Sequence, residues 1–150
     1  MTLISAVKTF MATFPSLESG ALILTDHIGA QPIQYSIQPL PGQRIVEQYI
    51  DGVTVREFPF VFQTVKSTAD ELERIETSGF LEALMDWFEQ KTIDGELPAL
   101  AANQTARTIE AVSWGFLYEQ GVSDTGIYQI VVSLRYGQTP ITATPEDTGA

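Results

Sequence analysis

Along residues 3 to 14, apolar side chains recur at helical spacing. Leu3, Ile4, Val7, Phe10, Met11 and Phe14 form one stripe, with Ser5, Lys8, Thr9 and Thr13 off it. The spacing predicts an amphipathic helix ending at Phe14, because Pro15 disfavours the helical region for the residue before it and supplies no N–H. Ala21-Leu22-Ile23-Leu24 is too short to assign, and residues 26 to 32 read as a connection carrying His27 and Gly29. Ile33, Tyr35 and Ile37 alternate with Gln34, Ser36 and Gln38, the period of a half-buried strand, which Pro39 and Pro41-Gly42 end.

A long hairpin follows over residues 44 to 66, turning at Asp51-Gly52. Asp-Gly suits a two-residue type I′ turn, whose central residues both need positive φ. That turn sets Ile50 opposite Val53, Glu47 opposite Arg56 in a favourable cross-strand pair, and Ile45 opposite Phe58. One face of the hairpin is then polar near its tip and apolar where Phe58, Phe60 and Phe62 follow. The other face carries Val46, Ile50, Val53, Val55, Val61 and Val65. A strand apolar on both faces expects cover on both sides, and a second subunit is one source of that cover. Pro59 points to an edge position or a bulge.

Residues 68 to 91 carry a helical stripe that Leu72 and Ile75 begin and Phe80, Leu81, Leu84, Met85, Trp87 and Phe88 continue. Ser78-Gly79 predicts a break into two helices. A loop with Gly95 and Pro98 leads to a second hairpin over residues 105 to 137, looped at residues 120 to 125. Val112, Trp114, Phe116 and Tyr118 share one parity in its first arm. Tyr128, Ile130, Val132, Leu134 and Tyr136 share one in the second. Phe60, Phe80, Leu84, Trp87, Trp114 and Phe116 are the expected core cluster. The order of elements predicts a single α+β domain over residues 1 to 137, with an antiparallel or mixed sheet, helices packed on it and a long β-hairpin. Residues 138 to 150, rich in Thr and Pro, read as an extended tail.

Composition narrows the chemistry. A chain of 150 residues with 44% hydrophobic and 18% charged residues can build one core. It has no cysteine and one histidine, which excludes disulfides, thiol catalysis, thiolate zinc sites and His-rich metal sites. The net charge of −11 disfavours binding to nucleic-acid phosphate or to anionic membranes. No segment approaches the ~18 apolar residues of a membrane span, and the N-terminus lacks the basic region of a signal peptide.

Nine acids, Asp70, Glu71, Glu73, Glu76, Glu82, Asp86, Glu89, Asp94 and Glu96, face only Arg74 and Lys91 between residues 68 and 96, which reads as a solvated helix face. No phosphate-binding loop, dinucleotide fingerprint, nucleophile elbow or zinc-protease motif is present. His27 beside Asp26 reads as a surface residue, and Asp124-Thr125-Gly126 lacks the apolar surroundings of an aspartic-protease triplet. The expectation is a protein that is not an enzyme and holds neither cofactor nor metal.

Three stretches together resemble a family of small structural proteins of tailed bacteriophages and Gram-positive prophages, the tail terminator or minor capsid proteins. They are Arg56-Glu57-Phe58-Pro59-Phe60-Val61-Phe62, the helix from Ile75-Glu76-Thr77-Ser78-Gly79-Phe80 through Asp86-Trp87-Phe88, and the strands over residues 109 to 136. The resemblance covers residues 1 to 137 and brings no catalytic site. It implies an α+β subunit of a ring, a hexamer in this family, in the virion. Such a ring caps the tail tube and joins it to the head connector, and genomic DNA passes through it without specific binding. Its implied partners are further copies of itself, the major tail tube protein and head connector proteins, with no membrane. The alternatives are a head-completion or stopper protein of the connector, and a non-viral interaction domain. Val46, Glu47, Ile50, Val53, Val55 and Arg56 of the first hairpin are the candidate interface residues, and part of the acidic charge is expected to face the bore.

Overall fold

The computed structural model describes residues 2–17, 23–25, 34–42, 44–67, 71–120 and 125–140. The expectations for Ala21, Leu22, Asp26, His27, Gly29, Ile33, Asp70, Asp124 and residues 141 to 150 lie outside these residues. The fold is α+β. Among the described residues, seven strands make one sheet in the order β1-β2-β4-β7-β5, with β3 also paired to β4 and β6 also paired to β7. The strands are β1 (Ile23–Thr25), β2 (Gln34–Pro39), β3 (Ile45–Gln48), β4 (Thr54–Ser67), β5 (Gln104–Ala111), β6 (Phe116–Gln120) and β7 (Thr125–Gln138). Among the described residues, only β1 and β2 pair in parallel.

Two helices, α1 (Leu3–Met11) and α2 (Glu71–Asp94), lie on one face. Thr2 and Ser5 close a reciprocal cap at the start of α1, each side chain meeting the other's backbone N–H. The helix stops three residues before Phe14, and the following turn still delivers Phe14 to the core. Between helices and sheet lie Val7, Phe10 and Met11 of α1, Leu84 and Phe88 of α2, and Tyr35, Ile37, Phe60, Phe62 and Ile109 of β2, β4 and β5. Ile130, Val132 and Leu134 of β7 complete this layer. Each such side chain contributes about 1.5–3 kcal/mol by leaving water.

Several expectations are corrected. α2 runs unbroken through Ser78-Gly79 to Asp94. Gly79 is solvent-exposed with nothing within 4 Å of the position of a Cβ, and the buried Thr77, Leu81, Leu84 and Phe88 around it hold the helix together. The helix ends where Gly95 adopts φ 73°, with the N–H groups of Gly95 and Glu96 donating to the carbonyls of Thr92 and Lys91. Leu72 and Ile75 are exposed and do not begin a buried stripe. Pro59 sits in the central strand β4, not at an edge. Its carbonyl accepts from Leu40 N–H on the side where β2 ends and β3 has not begun, so the donor it lacks is not needed there.

The first hairpin turns by three residues, not two. Gly52 N–H donates to Tyr49 O, Tyr49 N–H donates to Val53 O, and Gly52 takes φ 89°. This is a type I turn closed by a left-handed glycine. The extra loop residue and a bulge at Val46 shift the register, so Glu47 lies opposite Val55 and Ile45 opposite Arg56. Neither the Glu47–Arg56 nor the Ile50–Val53 pair forms.

The second hairpin has a broken first arm. β5 and β6 both pair with β7 and are separated by residues 112 to 115. This break, with bulges on either side, removes Val112, Trp114, Phe116 and Tyr118 from the core. Trp114 is 69% and Phe116 43% exposed, while Phe80 and Trp87 of the expected cluster pack at its margin around the buried Phe60 and Leu84.

Candidate assembly surfaces

The side chains of β4 alternate between two environments. Phe58, Phe60 and Phe62 point to the helices, and Val55, Val61 and Val65 point to the opposite face. Val55, Val61 and Val65 are 6%, 3% and 2% exposed within the single chain. The second apolar face of the hairpin is therefore covered without another subunit, and of the candidate interface residues Val55 is not available at the surface. Val46, Val53 and Arg56 are half-buried. Glu47 and Ile50 are exposed, Ile50 completely, at the tip of the hairpin beside the exposed Tyr49. Asp51 Oδ1 accepts from Val53 N–H and fixes the turn that holds Ile50 out.

Charge is organised on the face opposite the helices, at the hairpin end of the sheet. By register, Arg44, Glu57, Arg135 and Thr108 form one row across β3, β4, β7 and β5. Arg135 Nε lies 3.5 Å from Glu57 Oε2. In the next row, Glu47, Val55, Gly137 and Thr105 are neighbours. Arg107, the extra residue of the β5 bulge, lays its guanidinium over Gly137, where a Cβ would stand 3.0 Å from Nε and Nη2.

Tyr49 donates its hydroxyl proton to Glu47 Oε2 at 2.5 Å. That hydrogen bond and the negative charge of Glu47 push the phenol above its ordinary value, and Arg107 opposes the shift. Three arginines of a chain with only eight basic residues thus share this surface, interleaved with Glu47 and Glu57. Arg56 lies on the helix face, its Nε donating to Thr54 Oγ1.

The opposite edge of the sheet at this end is β5, and α2 runs along it. Thr92 closes the free edge, its hydroxyl donating to Ile109 O at 2.8 Å and accepting from Ile109 N–H at 3.1 Å. Further along, the backbone of Gly115 touches α2 so closely that a Cβ would lie 2.6 Å from Leu81 Cβ. Between these two contacts the helix stands off the strand. A groove of about 520 Å³ opens there, floored by Met85, Ile109 and Ala111, walled by Ile93 and Trp114 and rimmed by Asp86, Glu89 and Glu110.

Glu76, Glu82, Asp86, Glu89, Asp94 and Glu96 are all exposed, in keeping with a solvated acidic helix face. Eight of the ten exposed large hydrophobic residues among those described belong to α2 or to residues 112 to 118, and the other two are Tyr49 and Ile50. The periodicity of the second hairpin pointed to Trp114 and Phe116 as core. The Ser113 and Gly115 that interrupt it were the available signal that this strand leaves its register.

The sequence matches no protein-family model and no curated protein. Among the described residues, no group of three His, Asp or Glu is placed to hold a metal ion, and no helix is long and apolar enough to cross a membrane.

Proposed function

We propose that this chain is a structural subunit of a tailed-phage virion. In this reading it is a tail terminator that assembles into a ring, caps the tail tube and joins it to the head connector. The observation that supports this reading most is that exposed apolar residues lie at separate places on the surface. Tyr49 and Ile50 project from one, Ile93, Val112 and Trp114 lie at another, and Leu72 and Ile75 stand at the start of α2. A protein that joins copies head to tail needs two different patches, one for each neighbour. In the ring, a share of the net charge of −11 faces the bore, where it repels DNA phosphate and lets the genome pass.

The test is negative-stain imaging of the purified protein, alone and mixed with purified tail tubes. Rings on tube ends are the expected outcome. A protein that neither closes into rings nor decorates tube ends is not a terminator. Rings bound to head connectors but not to tubes favour the stopper reading instead.

A further inference from the structure

The groove between α2 and β5 joins apolar walls to a rim of one sign. Met85, Ile93 and Trp114 line it, with Asp86 and Glu89 on the helix lip and Glu110 on the strand lip. Ile93 and Trp114 are 70% and 69% exposed, so large apolar surfaces stand in water beside three carboxylates. Among the described residues, none of the chain's eight lysines and arginines lines the groove, and none of the three acids forms an ion pair. Asp86 and Glu89, three residues apart on one helix face, repel each other. We propose that the groove docks a cationic, apolar segment of another protein. An apolar side chain seats between Met85, Ile93 and Trp114, and flanking lysine or arginine meets the carboxylates on both lips.

The sign of the rim chooses the occupant. Nucleic-acid phosphate and anionic lipid are repelled. A second copy of this chain brings a net charge of −11, with Lys91 engaged by Glu96, Arg135 by Glu57 and Arg56 by Thr54. A free polyamine answers the carboxylates but leaves Ile93 and Trp114 in water. A polypeptide segment with both kinds of side chain covers both, and its cation can also lie on the open face of Trp114.

The groove is held open before anything enters it. Thr92 ties α2 to Ile109 at one end, and the close approach of Gly115 to Leu81 sets the helix at the other. Strand addition is closed at Ile109, whose outward N–H and C=O are held by Thr92, so the occupant is read there by its side chains. The site stands apart from the ring reading. Tyr49-Ile50 and Leu72-Ile75 remain free to join copies, so a ring can form with every groove open to a different protein.

The probe is a labelled peptide with paired leucines flanked by lysines, read by fluorescence anisotropy at low salt. The expected result is saturable binding that weakens at least ~10-fold when Asp86→Asn, Glu89→Gln and Glu110→Gln are combined, and at least ~10-fold in Trp114→Ser. A matched variant, Glu47→Gln with Asp51→Asn and Glu76→Gln, removes the same charge elsewhere and is expected to weaken binding less than ~3-fold. All these residues are exposed, so the fold is kept, and circular dichroism checks it.

Equal losses in the two triple variants, or no saturable binding by the parent, overturn the site. A serine-for-leucine peptide or spermidine that competes as well as the leucine peptide also overturns it, because the apolar walls then play no part. A glutamate-for-lysine peptide is expected not to bind, and its binding would overturn the charge match.

Discussion

Phe10 and Trp87 meet where the two helices join, their ring centroids 4.8 Å apart and their planes inclined by 35°. Phe14 packs against the same indole at 5.1 Å with the rings inclined by 49°, and reaches Phe80 at 5.6 Å, while Phe80 faces Tyr35 of β2 at 6.2 Å. Trp87 is thus the pivot through which α1 is tied to α2. It is half-buried, with Lys91 Nζ over its outer face at 5.8 Å. Trp87→Ala is expected to cost about 3 kcal/mol, the lower end for removing a large aromatic side chain, and to loosen α1 first. Urea unfolding gives the first number, and hydrogen exchange in residues 3 to 11 gives the second. A loss under about 1 kcal/mol with unchanged protection of α1 would show that the helix is held elsewhere.

Two glycines in or against α2 predict opposite signs. Gly79 sits mid-helix with open space around it, so Gly79→Ala removes backbone freedom from the unfolded chain and adds no clash. Its expected effect is a gain of about 1 kcal/mol. Gly115 has Leu81 Cβ and Cδ1 at 2.6 Å from where its own Cβ would stand. Gly115→Ala must push the helix away from the strand and is expected to cost about 1–3 kcal/mol. Thermal melts of the two variants check both signs at once, and a destabilised Gly79→Ala would mean that the helix does bend at Ser78-Gly79.

The sheet and its helices were legible in sequence where one period ran without interruption. The stripe of α1, the alternation of Tyr35 and Ile37, and the two long strands β4 and β7 all lie where the spacing predicts. What was not legible depended on single residues that change a register. One extra residue in the turn at Ile50-Asp51-Gly52 moved Glu47 from Arg56 to Val55. One break at residues 112 to 115 carried Trp114 and Phe116 from the expected core to the surface.

A period-2 pattern fixes which residues share a face only until a bulge intervenes. Helix propensity misled at Gly79 because its cost is about 1 kcal/mol and the burial of Leu81, Leu84 and Phe88 outweighs it. The groove joins α2 to a strand more than ten residues away in sequence, and no local pattern could announce it.

Tyr128 gives the fold an alkaline signature. Burial raises its phenol above the ordinary value of 10.0, against a smaller opposing effect from the Arg74 cation. A raised native value means that the folded chain keeps a proton that the unfolded chain has already lost. The stabilisation is complete below about pH 10 and is lost as pH rises through the folded value. Stability should therefore decline from about pH 10 upward, and Tyr128→Phe should remove that part of the decline. Titration of tyrosine absorbance should show fewer phenols ionising in the ordinary range in the native parent than in its own unfolded state, and Tyr128→Phe should narrow that difference by one. Tyr128 ionising at the ordinary value of a free phenol would contradict the buried hydroxyl.

The interleaving of Glu47 and Glu57 with Arg44, Arg107 and Arg135 decides how this surface meets DNA. Three arginines on a compact face would by themselves make phosphate contacts, each releasing counterions on binding. Glu57 stands in the row between Arg44 and Arg135, and Glu47 in the next row with Gly137, over which Arg107 lies, so the local excess is a single positive charge within a chain of −11. The parent protein is expected to show no retention of duplex DNA at about 0.1 M salt, where charges more than ~10 Å apart are already screened from one another. Glu47→Gln combined with Glu57→Gln raises the local excess to three and should produce weak, salt-sensitive, sequence-independent retention. A gel-shift titration over salt reads both. Tight binding by the parent would mean that the arginines act unscreened by their carboxylates, and a bore lined by this face would then hold the genome instead of passing it.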